Sequence, residues 1–143
     1  MKWFKQKRIL VPFDFSEEST SAVEVALELA PSADEVHVVH IIPDLVATEP
    51  GVIWDTINDE ERKSHAQAEM EKSLAAHHGI HLDVGVGDAG HVVVDLADEI
   101  EAGLIVIPSH GRRGLSRMFL GSVAERVVRY AHCPVLVLKK PVE

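Results

Sequence analysis

Cysteine is almost missing from this chain. Cys133 stands alone among 143 residues, which excludes an intrachain disulfide and any multi-cysteine metal site. Positive charge is scarce as well, with 14 Lys and Arg against 23 Asp and Glu, for a formal net charge of −9. So acidic a chain repels a phosphodiester backbone unless its cations gather on one face, so nucleic acid is not the expected partner. Arg112, Arg113 and Arg117 form a local basic cluster within an acidic neighbourhood. Long apolar runs are absent too: none approaches the ~18 residues that span a bilayer. No apolar segment follows the basic start MKWFKQKRIL before Asp14, so no secretory signal is expected. With 46% hydrophobic and 26% charged residues, the composition is ordinary for a globular chain. The expectation is one soluble, cytoplasmic domain over residues 1–143, with no membrane segment.

Several motifs are also missing. No GxxxxGK[ST] occurs, which excludes a match to ordinary P-loop triphosphatases. No GxSxG occurs, so the nucleophile turn of a triad hydrolase is not expected. Ser109 and His110 are adjacent in sequence, and the expectation is that their side chains diverge and neither activates the other.

What is present alternates regularly. Ile9-Leu10-Val11 reads as a first strand, stopped by Pro12. Ser16 is a good N-cap, and Glu17 and Glu18 suit the positive end of the helix that follows. Ala22, Val23, Ala26, Leu29 and Ala30 give that helix its apolar face, and Pro31 ends it. Val36 to Ile42 is a second strand. Residues 43–57 show no sustained period and form a long irregular connection. Asn58 to His78 reads as a helix with a narrow stripe of Ala66, Met70 and Leu74, closed by Gly79. His81 to Gly85 is a third strand, Val92 to Ala102 a third helix, and Leu104 to Ile107 a fourth strand. A glycine-rich, arginine-bearing loop follows, then a helix from Gly121-Ser122, then a fifth strand at Val135–Leu138. Strands alternating with helices predict a parallel sheet covered on both faces, with ligands at the carboxyl ends of the strands.

Two patterns invite functional readings. Gly85-Val86-Gly87-Asp88-Ala89-Gly90 is a formal GxGxxG between a strand and a helix. No acid follows about 20 residues on to hold a ribose hydroxyl, so turn glycines are the favoured reading over a dinucleotide fingerprint. Nine histidines raise the question of a metal. His77, His78 and His81 have no rigid frame of neighbouring ligands and read as solvated side chains. His37 and His40 fall on opposite faces of their strand, and His110, at a strand end beside glycine, is the histidine assigned to a site.

The segments ILVPFDFSEES and GSVAERVVRYAHCPVLVLK, with SHG nine residues before GS, resemble the universal stress protein family over nearly the whole chain. The resemblance implies a three-layer α/β sandwich, Rossmann-like, with a five-stranded parallel sheet in the order 3-2-1-4-5 and helices on both faces. It also implies a homodimer joined through the last strand, Val135–Leu138. Many members bind ATP through G-x2-G-x9-G-[ST]. Gly111, Gly121 and Ser122 match that pattern, but Pro108 stands where its first glycine belongs, removing an N–H and fixing φ.

By the same resemblance, Pro12, Phe13 and Asp14 would line the nucleotide at the first strand and Ile41 would meet adenine at the second. Pro108 would stand beside the nucleotide, while Ser109, His110, Gly111, Gly121, Ser122 and Val123 would surround ribose and phosphates. The implied function is an adenine-nucleotide sensor or regulator, most simply of ATP, with a divalent ion such as magnesium accompanying the phosphates. It would act by occupancy on an unidentified protein partner. No catalytic constellation is read from the residues. Two alternatives stand beside this: a purely interacting dimer whose pocket Pro108 has closed, and a slow ATP hydrolase.

Overall fold

The computed structural model describes residues 8–44, 58–110 and 120–139. Gly111, Arg112, Arg113 and Arg117, and most of the irregular connection (45–57), lie outside the described residues. Five strands, β1 (Ile9–Pro12), β2 (Val36–Ile42), β3 (His81–Val86), β4 (Leu104–Pro108) and β5 (Val135–Leu138), form one parallel sheet in the order β3-β2-β1-β4-β5. The helices are α1 (Glu17–Leu29), α2 (Asp59–Ser73), α3 (Ala89–Glu99) and α4 (Ser122–Tyr130), with a 3₁₀ turn at Ala33–Glu35. None of the described helices is long and apolar enough to cross a membrane.

Alternation along the strands sorts the core into two layers. Ile9, Val11, Val36, Val38, Leu104 and Val106 pack with Ala22, Val23 and Ala26 of α1 and Met70 of α2. Leu10, Val39, Ile105 and Ile107 face the other way, onto Val93, Val94 and Ala97 of α3 and Ala124 and Val127 of α4. The central strands are buried on both faces, which is why they read as continuous apolar runs. The narrow stripe of α2 is buried as its spacing predicts: Ala66, Met70 and Leu74 are at most 7% exposed.

Some boundaries differ from the sequence reading. α3 begins at Ala89 rather than Val92, because Asp88 caps it by accepting from the His91 N–H at 3.1 Å. It ends at Glu99 rather than Ala102. There Ala102 N–H donates to the Ala97 carbonyl and Glu101 N–H to that of Asp98, a Schellman closure with Glu101 in the left-handed region at φ 54. α2 likewise stops at Ser73, several residues short of His78. β1 and β4 each run on through their terminal proline, Pro12 and Pro108.

The two junctions of β1 are unequal. Against β2 the register runs from Ile9↔Val36 to Pro12↔Val39, and Phe13 N–H extends it to the Val39 carbonyl at 2.8 Å. Against β4 it stops at Leu10↔Ile105. Phe13 N–H faces β2, so Pro12 turns its backbone toward β4. Ile105 N–H donates to Pro134 and Ser109 N–H to Leu138 across β5, so Pro108 turns its backbone toward β1. The next two rungs between β1 and β4 would need N–H groups from Pro12 and Pro108, which have none. The ladder therefore ends early, and it ends at the point where the strand order reverses, the usual place for a ligand crevice.

Candidate functional site

A cleft of about 330 Å³ opens at this point, over the carboxyl ends of β1, β2 and β4. Of the residues assigned to a site above, Pro12, Phe13, Asp14, Ile41, Pro108, Ser109, His110, Gly121, Ser122 and Val123 all line it. Gly111 lies outside the described residues. Ser19, Val39, His40, Ala89, Ile107 and Ala124 also line the cleft and were not assigned from sequence.

The β1–α1 turn forms one wall. Ser16 caps α1, its hydroxyl accepting from Ser19 N–H at 3.1 Å. The Asp14 carboxylate in turn accepts from both the Ser16 N–H, at 3.1 Å, and the Ser16 hydroxyl. Phe15 sits at φ 67, a conformation costly for a non-glycine residue. Its ring meets Phe13 and His40 edge-on, with centroids 4.9 and 4.8 Å away. His40 Nδ1 lies 2.8 Å from the Phe13 carbonyl; a carbonyl can only accept, so Nδ1 carries the proton. His40 therefore ties the turn to β2 and belongs to the site, although only His110 was assigned to it. The signal was its place near the carboxyl end of β2, beside Ile41.

The α4 entrance forms the opposite wall. Gly121 is its N-cap and supplies no side-chain acceptor, so the first amides of α4, at Ser122, Val123 and Ala124, keep their hydrogen-bonding capacity at the cleft. Gly121 N–H donates to the Ser109 carbonyl at 2.7 Å, and Ser109 N–H to Leu138 at 2.8 Å, which pins the end of β4 against that entrance.

The expectation that Ser109 and His110 diverge is wrong. Ser109 Oγ and His110 Nδ1 are 3.1 Å apart. β4 has already ended at Pro108, so the two residues lie in a bend, where the alternation of an extended strand no longer separates them.

The third wall is the end of β2. Gly87 N–H donates to the Ile42 carbonyl on the β3 side, at 2.9 Å. Ile41, one residue earlier, therefore turns its own N–H and carbonyl toward β1, which has already left the sheet. Neither group has a hydrogen-bond partner among the described residues.

The GxGxxG segment has packing reasons for its glycines. A Cβ at Gly85 would come within 2.7 Å of Val92, and one at Gly90 within 2.5 Å of the Arg126 side chain, while Gly87 turns at φ 136. Away from the cleft, His37 and His81 pair across β2 and β3 as parallel rings 4.5 Å apart. His81 is exposed, as expected from the sequence, but its ring stacks on His37. Burial, then the neighbouring His81, lowers the His37 pKa from the usual imidazole value. No group of three or more potential metal ligands occurs among the described residues.

Comparison with known proteins agrees with this architecture. The Universal stress protein family profile matches residues 5–139. The chain belongs to the universal stress protein family. It is 36% identical over 141 residues to the universal stress protein MJ0531 of Methanocaldococcus jannaschii, covering 94% of this chain and 83% of that one. Its fold is similar to the solved structure of the hypothetical protein MJ0577, with a TM-score of 0.78, 28% identity, and 96% and 99% of the two chains covered. It is also similar to a universal stress protein from Archaeoglobus fulgidus solved in complex with dAMP, with a TM-score of 0.54, 26% identity, and 92% and 97% covered.

Proposed function

We propose that this universal stress protein binds an adenine nucleotide, ATP, in the cleft, and that occupancy rather than turnover is its signal. The observation that carries this reading is the pairing of two walls of one cleft. Ile41 offers a backbone N–H and carbonyl with no strand partner, and α4 offers amides with no side-chain cap. Adenine presents an acceptor and an amino donor side by side, complementary to a peptide N–H and carbonyl, whereas guanine presents the reverse. The α4 amides and helix dipole suit phosphate. The family relative solved with dAMP supports an adenine nucleotide as the ligand class. The Asp14 carboxylate is the one acid lining the cleft among the described residues, so magnesium would enter with the phosphates and share it.

Homodimerisation through β5 accompanies this reading. β5 is an edge strand, and Leu136 on it is 37% exposed; pairing with a second copy would cover such an edge. Light scattering checks the stoichiometry.

Isothermal titration with ATP and GTP tests the ligand. ATP is expected to bind at cellular concentrations and GTP at least tenfold more weakly. No ATP heat, together with binding in a Pro108→Gly variant, would favour the interacting dimer whose pocket is closed. Slow ATP turnover has one observation in its favour, the Ser109–His110 contact. Phosphate release that persists unchanged in Ser109→Ala would remove that support.

A further inference from the structure

The amino end of the sheet, opposite the cleft, holds a side-chain pair that the nucleotide reading does not use. The register sets His37 on β2 beside His81 on β3, which puts both imidazoles on one face of the sheet. Asp83, two residues on along β3, shares that face. Leu82 and Val84 turn to the other face and pack on the core beneath α1 and α2, whereas His81 and Asp83 are exposed. The layer of α3 and α4 thus stops short of β3 here.

The two rings lie 4.5 Å apart and 13° from parallel. Their nitrogens have no hydrogen-bond partner among the described residues. His40, His91 and His132, by contrast, each commit a ring nitrogen to a neighbour.

We infer that His37 and His81 together bind a late first-row divalent transition ion, copper(II) most tightly, across β2 and β3. Imidazole nitrogen suits copper, nickel and zinc, and copper(II) heads their order of affinity. Two nitrogens bound to one ion at roughly 2.0–2.1 Å stand about 3 Å apart. Rings stacked at 4.5 Å reach that spacing by splaying about their Cβ–Cγ bonds, and the exposed His81 is free to do so. A pair falls short of the four side chains that close a structural zinc site, so water completes the coordination. Magnesium and calcium prefer oxygen ligands, which the pair does not offer.

The surrounding charge suits a cation. The Asp83 and Glu35 carboxylates both favour positive charge at His37. Arg8 opposes them, but its guanidinium donates to the Ile100 carbonyl at 2.7 Å. An ion joining β2 to the edge strand β3 needs the folded register, so its binding stabilises the fold.

The test uses the untagged full-length chain without nucleotide, whose phosphates would compete for the ion. Copper(II), zinc(II) and magnesium(II) chlorides are titrated by calorimetry into the wild type, His81→Asn and His78→Asn. Copper should bind the wild type in a single tight event, zinc more weakly and magnesium not at all. That event should weaken at least about tenfold in His81→Asn, the scale for disturbing a coordination sphere, and stay unchanged in His78→Asn. Substoichiometric copper should also broaden the ring-proton NMR signals of His37 and His81 together, ahead of those of the other histidines, a readout that needs no variant. Equal copper affinity in wild type and His81→Asn, earlier broadening at His77 and His78, or magnesium bound as tightly as copper would overturn the inference.

Discussion

The two ends of the sheet treat their polar groups in opposite ways. At the amino end they are consumed within the chain. Arg8 donates to the Ile100 carbonyl at 2.7 Å, Gly103 N–H to Arg8 at 2.8 Å, and Ile105 N–H to Pro134 at 3.0 Å, while His37 stacks on His81. At the carboxyl end the ladder stops at two prolines, β1 leaves before Ile41 is paired, and α4 starts without a side-chain cap. The same backbone thus makes one end a sealed support and the other a site with hydrogen-bonding capacity left for a ligand. The difference comes from where proline and glycine stand, not from any catalytic residue.

That contrast predicts unequal costs for truncation. Leu10 is fully buried at the last shared rung of β1 and β4. Leu10→Ala should cost about 2–5 kcal/mol by urea denaturation, through lost burial and the cavity left behind. Ile41→Ala, at the half-buried open end, should cost less than about 2 kcal/mol. Comparable losses at the two positions would break the contrast.

Ligand linkage sharpens it next. If the open end takes ATP, nucleotide at a hundredfold excess over its Kd should stabilise the wild type by about 2.7 kcal/mol. Ser122→Glu places a negative charge in the first turn of α4, which suits the helix dipole but repels phosphate. The variant should keep its ligand-free stability and lose the ATP increment, read from paired melts with and without nucleotide. An undiminished increment would place the phosphates elsewhere.

The sealed end is not free of strain. Glu101 holds the left-handed position of the Schellman closure that leads into β4. Glycine relieves the Cβ clash there, so Glu101→Gly should raise stability by about 1 kcal/mol without changing nucleotide affinity. A drop in the denaturation midpoint would show that the Glu101 side chain contributes more than its backbone costs.

The strand–helix alternation and the two covered faces were legible because buried parallel strands write themselves as apolar runs and amphipathic helices as stripes, whereas the sheet order came only through the family resemblance. Most cleft residues were legible only through a family resemblance; composition and spacing pointed to the loop, not to its function. What escaped the sequence was relational. His40 reads as an ordinary strand histidine until the Phe13 carbonyl is beside it. Ser109 and His110 were expected to diverge because strand alternation was carried one residue past the end of β4. The helix capped by Asp88 was started late because its first turn, Ala89-Gly90-His91, has little apolar signal. The role of Pro108 needed the register, since only the parity of β1 and β4 shows that its missing N–H faces Pro12.

The smallest expected effect is a slope with pH, and it belongs to the sealed end. Burial and the stacked His81 ring both disfavour a proton on His37, whose pKa lies below the ordinary imidazole value of 6.5. Asp83 and Glu35 oppose this and Arg8 reinforces it, but the net direction is down. Above pH 6.5 the imidazole is neutral in folded and unfolded chains alike, and His37 adds no pH dependence. As pH falls through 6.5 the unfolded chain takes up the proton first, so stability drops, and the loss levels off only below the depressed folded value. His37→Phe keeps a ring against His81 and removes the titration. Its denaturation midpoint should therefore fall less than that of the wild type between pH 7 and pH 5, values chosen to bracket the ordinary imidazole range. Parallel slopes in the two proteins would mean that the stacked pair carries no proton linkage, and that the sealed end is as indifferent to pH as its satisfied backbone.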